Sequence, residues 1–281
     1  MIDFFVDMTV NPFLLTGLLA GILAAVACGC VGPYVVTRRI TFLSGAIAHI
    51  AVGGVGAALF LAHRFPQWFA WCDPLYGATV AALAAAVLIA WLRHRVHEGT
   101  DTLIGAMWAV GMACGILLSK FTPGYQGELI GYLFGSLSFV HWRQIIWIGC
   151  LDLIVLITVF SCHKRLMAVC LDPEQAELQG ISVLGTNTLL LCLVALTVIC
   201  LTQVVGLILV IALLTLPAAT AGHYVQSMKR LMLFSTILSL GLTTLPRIAV
   251  YGTAVSPEAA IVLSAAGVYV AGVLWSRFRT R

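Results

Sequence analysis

The chain has 281 residues, of which 61% are hydrophobic and 9% charged, with a formal net charge of +4. A soluble domain carries about 45–50% apolar and about 25% charged residues, so there is too little polar surface here for a cytosolic enzyme, a nucleic-acid reader or a disordered chain. A polytopic membrane protein with helical spans remains, and its modest positive charge fits Lys and Arg gathered in cytoplasmic loops rather than a nucleic-acid partner.

Apolar runs bounded by charge or by Gly, Pro and aromatic clusters predict crossings at 12–36, 42–62, 74–92, 101–119, 141–163, 183–202, 204–222, 231–250 and 258–275. Each crossing needs about 20 apolar residues. No soluble domain interrupts them, so residues 1–281 read as a single transmembrane domain. The first ten residues carry Asp3 and Asp7 but no Lys or Arg, unlike the n-region of a signal peptide. Between the fourth and fifth runs, 128–140 is apolar but too short to span and is expected to be re-entrant or interfacial. With the N-terminus outside, Arg38, Arg39, Arg93, Arg95, Lys164, Arg165, Lys229, Arg230, Arg277, Arg279 and Arg281 face the cytoplasm. That is eleven of fifteen basic residues, which favours nine spans, N-out and C-in. Trp68, Trp71, Trp91 and Trp142 fall near run ends, as an interfacial belt requires.

Glycines four apart (Gly17/Gly21, Gly111/Gly115, Gly127/Gly131/Gly135) let helix backbones approach closely. The nine cysteines form no CxxC pair and read as small packing residues.

His49 has Gly45 and Gly53 on the same helical face, with Gly56 close to it. A helix bare of bulk around an imidazole permits either close packing with a hydrogen bond to a neighbour or room for an ion, which imidazole can ligate. Asp152, in the fifth run, and Glu128, opening the short segment, are costly intramembrane carboxylates that could line a cation path. A neighbouring donor could equally satisfy Asp152. His94, His97 and Glu98 lie among arginines and read as a basic loop. Residues 171–181 spell a short helix: Asp172 as N-cap, Pro173 at the first position, Glu174 complementing the dipole and Gly180 to end it. Such a helix between spans suits either a docking element or a plain connector. No Gly-Lys dipeptide occurs, so the chain has no phosphate-binding P-loop of its own.

Several segments in order (32–56, 100–115, 128–136, 172–181, 205–221 and 256–263) together resemble the zinc/manganese/iron permease family of ATP-binding-cassette importers. The resemblance implies an all-α permease in a bacterial inner membrane, not itself an enzyme. It would act as a homodimer with two cytoplasmic ATPase subunits and an extracytoplasmic metal-binding protein. The ion (zinc first, manganese or iron next) would be cargo, with no permanently bound cofactor. Glu174-x-Ala176-x-x-x-Gly180 is similar to the family's ATPase-coupling motif. His49 matches the His of an Asp-x-x-x-His pattern, although Gly45 stands where many members carry the Asp and Gly53-Gly54 where many have Pro-Gly. A gradient-driven secondary transporter, a membrane-embedded enzyme using His49 and a carboxylate, and a siderophore- or cobalamin-type permease are the competing expectations.

Overall fold

The computed structural model describes residues 7, 11–69, 73–95, 100–122, 140–253 and 255–279. Among them the regular structure is helical: α1 (Pro12–Thr37), α2 (Thr41–Arg64), α3 (Pro66–Phe69), α4 (Pro74–Arg95), α5 (Thr100–Lys120), α6 (Trp142–Leu171), α7 (Pro173–Leu178), α8 (Val183–Gly222), α9 (Met228–Ala249) and α10 (Pro257–Arg279). Helices serve because hydrocarbon offers the backbone no partners, so each segment must close its own N–H and C=O bonds. Prolines at 33, 217 and 246 sit inside α1, α8 and α9. Local side chains cap the ends. Asn11 accepts from the Phe13 N–H at 3.0 Å, and Ser182 from that of Gly185 at 3.2 Å.

α1 is the hub of one half of the bundle, packing against α6, α8 and α9. Its buried face is built from small residues, among them Ala20, Ala24, Cys28, Gly29 and Gly32. The pairing with α9 is antiparallel and in register. Arg247 donates to the Leu14 carbonyl at 3.5 Å, Gly21 faces Thr243, and Gly29 meets Thr236. α2 is the hub of the other half, against α4 and α5, and α8 touches both hubs.

In the α2–α5 pair, a Cβ at Gly53 would lie 2.7 Å from the Gly111 carbonyl, and one at Gly56 would lie 2.6 Å from that of Gly115. Gly54 and Gly77 approach each other in the same way between α2 and α4. Absence of a side chain is what allows these backbones to touch.

Among the described residues, eight helices are long and apolar enough to cross a membrane. The predicted sixth and seventh runs are two helices within the stretch labelled α8, parted at Gly206 (φ 74, ψ 168), and only the length of the second departs from the expectation. The apolar helix that follows, Leu209–Gly222, has fourteen residues. It is about 21 Å long, short of a hydrocarbon core of about 30 Å. It nonetheless returns toward its starting end. Asn187 meets Arg38, whereas Leu214 and Ala218 meet Gly32, only six residues back along α1. A straight helix would carry the chain about 40 Å between residues 187 and 214, so the direction reverses at Gly206. The described path therefore alternates as nine runs would, with residues 12 and 279 at opposite ends, but the seventh run is a short return segment.

Residues 128–139, holding most of the predicted re-entrant segment together with Glu128, Gly131 and Gly135, lie outside the described residues. So do Gly127, Trp71, Cys72, His97 and Glu98. The eight described cysteines are free. Trp68, Trp91 and Trp142 are exposed near helix ends.

Gly56→Leu must push α2 and α5 apart. It is expected to lower the melting temperature of the detergent-purified chain by several degrees, as followed by circular dichroism. Gly267→Ala, which meets open space, is expected to leave that temperature unchanged or to raise it.

Candidate functional site

His49 sits on α2 facing α5, where its ring stacks on Trp108 with centroids 4.5 Å apart and planes 22° apart. Its Nδ1 is buried and has no hydrogen-bond partner. Gly45, one turn below, leaves a gap closed by Ile211 and Trp108, at 3.0 and 3.4 Å from where a Cβ would stand. Gly53, one turn above, touches Gly111. The small residues therefore bring in a large indole that walls one side of the imidazole, an element the sequence spacing did not single out. Its aromatic partner could have been sought only after the α2–α5 pairing was known.

Asp152 lies elsewhere, on α6 against α1 and α8. It is 2% exposed, and the polar group that faces its carboxylate is the weakly donating thiol of Cys200. The thiols of Cys28 and Cys200 are its polar surroundings. The structure does not bring His49 and Asp152 into one cluster. Among the described residues, no three His, Cys, Asp or Glu side chains converge so as to hold a metal ion. Glu128, the other carboxylate suggested for a cation path, falls outside the described residues.

The short helix α7 is closed at both ends by its own side chains and turns. Asp172 accepts from the Gln175 N–H at 3.1 Å, and Pro173 occupies the first turn. At the far end Gly180 takes φ 78. The Gly180 N–H donates to the Glu177 carbonyl at 2.9 Å and the Ile181 N–H to that of Ala176 at 3.0 Å, the paired bonds of a Schellman stop. Ala176 is 1% exposed and is the helix's only buried residue, whereas Leu178 is 89% exposed. Glu174, Gln175 and Glu177 are also exposed. Burial of Ala176 fixes α7 to the bundle, and Leu178 is the apolar side chain it presents outward. The periodicity of so short a helix could not separate these two faces.

α7 stands at the bundle end where the basic residues gather. Arg38, Arg93 and His94 share a polar cavity of about 240 Å³ there. Lys164 and Lys229 border a second cavity.

Comparison with known proteins places this architecture. Residues 10–276 match the family model described as the ABC 3 transport family. A probable metal transport system membrane protein of Chlamydia muridarum is 36% identical over 229 residues, covering 82% of this chain and 77% of that one. The high-affinity zinc uptake system membrane protein ZnuB of Haemophilus influenzae is 27% identical, over 82% of this chain and 83% of its own. The manganese import system permease protein ScaB of Streptococcus gordonii is 29% identical, over 92% and 89%. Among solved structures, PsaBC from Streptococcus pneumoniae in complex with Fab superposes with a TM-score of 0.85 at 27% identity, covering 97% of this chain and 95% of that one.

A buried carboxylate held only by a weak thiol donor costs more than the apolar group that could replace it, by about 1–3 kcal/mol. Asp152→Ala is therefore expected to raise the melting temperature of the purified chain in detergent, and a lowered temperature would mean that the carboxylate is held by a stronger partner. Eight long apolar helices and a match along nearly the whole chain lead to one assignment: the chain belongs to the ABC 3 transport family, as a multi-pass permease of the plasma membrane.

Proposed function

We propose that this chain is the membrane-spanning subunit of an importer for a divalent transition metal, driven by ATP hydrolysis on separate cytoplasmic subunits. The observation that carries the reading is α7, a rigidly capped helix on the basic end that exposes Leu178 where a connector would need no apolar surface. Under the positive-inside rule the basic end is cytoplasmic, the side on which an ATPase works. The relatives named for zinc and for manganese support those two ions as cargo, and none of those cited above is named for iron.

The permease works as a homodimer, receiving the ion from an extracytoplasmic binding protein into a cavity between protomers. His49 Nδ1 is the free donor atom of that path. Gly45 beside it supplies no anionic ligand, and sparse coordination suits transit, because a complete ligand set would trap the ion. Closure of the ATPases moves α7, and α7 moves the end of α6 on which it packs. Asp152 is the second, independent candidate on the path.

Reconstitution of the chain with its ATPase and binding protein tests this reading. Zinc- or manganese-loaded binding protein is expected to stimulate ATP hydrolysis, and His49→Ala to cut that stimulation about tenfold or more. Stimulation untouched by His49→Ala would return the residue to packing against Trp108. Transport by the purified chain alone, driven by an ion gradient, would establish a secondary transporter instead.

The docking role needs its own variant. Enlarging Ala176 would disrupt the loop itself, since that residue is buried, so Glu174→Lys combined with Leu178→Lys is the informative change. It is expected to abolish co-purification of the ATPase subunit while leaving the melting temperature of the permease unchanged. Normal co-purification would refute the role of α7.

A further inference from the structure

α6 and α9 scarcely touch each other, although both pack on α1. Between them a cavity of about 590 Å³ opens at the basic end, floored by Cys30 of α1 and walled by Phe160, Met232 and Leu233. Its mouth carries His163, Lys164 and Lys229. Neither lysine has a carboxylate partner among the described residues, and both are exposed.

Depth explains why two lysines stand over an apolar groove. α6 has thirty residues, and Lys164 lies about 33 Å from its start, where a core of about 30 Å ends. Lys229 is the second residue of α9. Both ammonium groups therefore sit at headgroup level, while Phe160 and Leu233, 66% and 59% exposed, line the groove one turn deeper. His163 is oriented by a hydrogen bond of 2.6 Å between its Nδ1 and the Tyr34 hydroxyl. With that hydroxyl donating to Nδ1, the ring proton is on Nε2, a third donor for a ligand at the mouth.

We infer that the α6–α9 groove holds one anionic phospholipid of the leaflet at the basic end, with its phosphate on Lys164, Lys229 and His163 and an acyl chain along Phe160, Met232 and Leu233. A basic pocket between transmembrane helices is suited to such headgroups. A second copy of this chain fits the groove poorly, because a two-fold contact there would set each lysine pair against its own counterpart. The lipid fills the gap that α6 and α9 leave over α1 and ties those two helices together at the basic end.

The test is native mass spectrometry of the full-length, detergent-purified chain. It is incubated with equal amounts of phosphatidylglycerol, phosphatidylethanolamine and phosphatidylcholine of the same acyl composition. A juxtamembrane lysine contributes about fivefold in binding to an anionic lipid, so phosphatidylglycerol is expected to be retained well over tenfold more than the others. Lys164→Gln with Lys229→Gln is expected to abolish the preference, and Lys120→Gln with Arg143→Gln, at the opposite end, to keep it. Leu233→Trp, which fills the groove without changing charge, is expected to lower retention of phosphatidylglycerol. Equal retention of the three lipids by the wild-type chain would overturn the assignment, as would a preference that survives in the double lysine variant. Displacement of the lipid by millimolar inorganic phosphate would make this a free-phosphate site, and a Leu233→Cys chain that cross-links to a second copy would make it a protomer contact. Either result also refutes the lipid.

Discussion

Backbone-to-backbone contact along α2 is the constraint on which the rest of the bundle depends. In hydrocarbon the helices gain nothing from hiding apolar side chains, so van der Waals contact must supply the attraction, and it is greatest where no side chain intervenes. Gly53 and Gly56 bring α5 onto one face, and Gly54 brings α4 onto another through Gly77. A Cβ at any of these positions would collide with a carbonyl or Cα, so two neighbours are fixed at once by three glycines within four residues. α1 repeats the device with Gly29 against Thr236 of α9 and Gly32 against Leu214 of α8.

The same economy of bulk shapes the candidate path. Gly45 carries no side chain on α2, Trp108 of α5 and Ile211 of α8 close the space beside it, and the wall of the His49 ring is aromatic. Asp152 and its thiol neighbours belong to the other hub, so among the described residues His49 and Asp152 are kept apart. α7 at the basic end is the opposite kind of element: small, fully capped and rigid, with its one buried residue anchoring it and its apolar tip turned outward.

α8 shows how local geometry sets topology. The stretch 183–222 is apolar almost throughout, and Thr202 and Gln203 are the polar break at which the sequence divides it, three residues short of Gly206. Gly206 takes a backbone conformation that other residues avoid, and the chain doubles back through it. Gly32, free of a side chain, lets the returning segment reach α1. The sequence division at residue 203 lies close to that reversal, whereas counting apolar residues overestimated the second run, whose helix is only Leu209–Gly222.

Composition and run length by themselves determined that this is an all-helical, multi-pass membrane chain, because burying apolar sequence in lipid leaves the backbone no alternative. Local spacing also determined α7, since its caps are encoded within ten residues, and the glycine face around His49. Tertiary structure alone decided what those faces meet: Trp108 over His49, Cys28 and Cys200 around Asp152, Ala176 inward and Leu178 outward, and a groove where α6 and α9 part over α1. The reason is physical. Helix formation and capping are local events, satisfied within a turn or two, whereas the partner of a helical face is chosen by packing between segments as much as 233 residues apart, as Arg247 and Leu14 are, and spacing along one helix carries no information about the other.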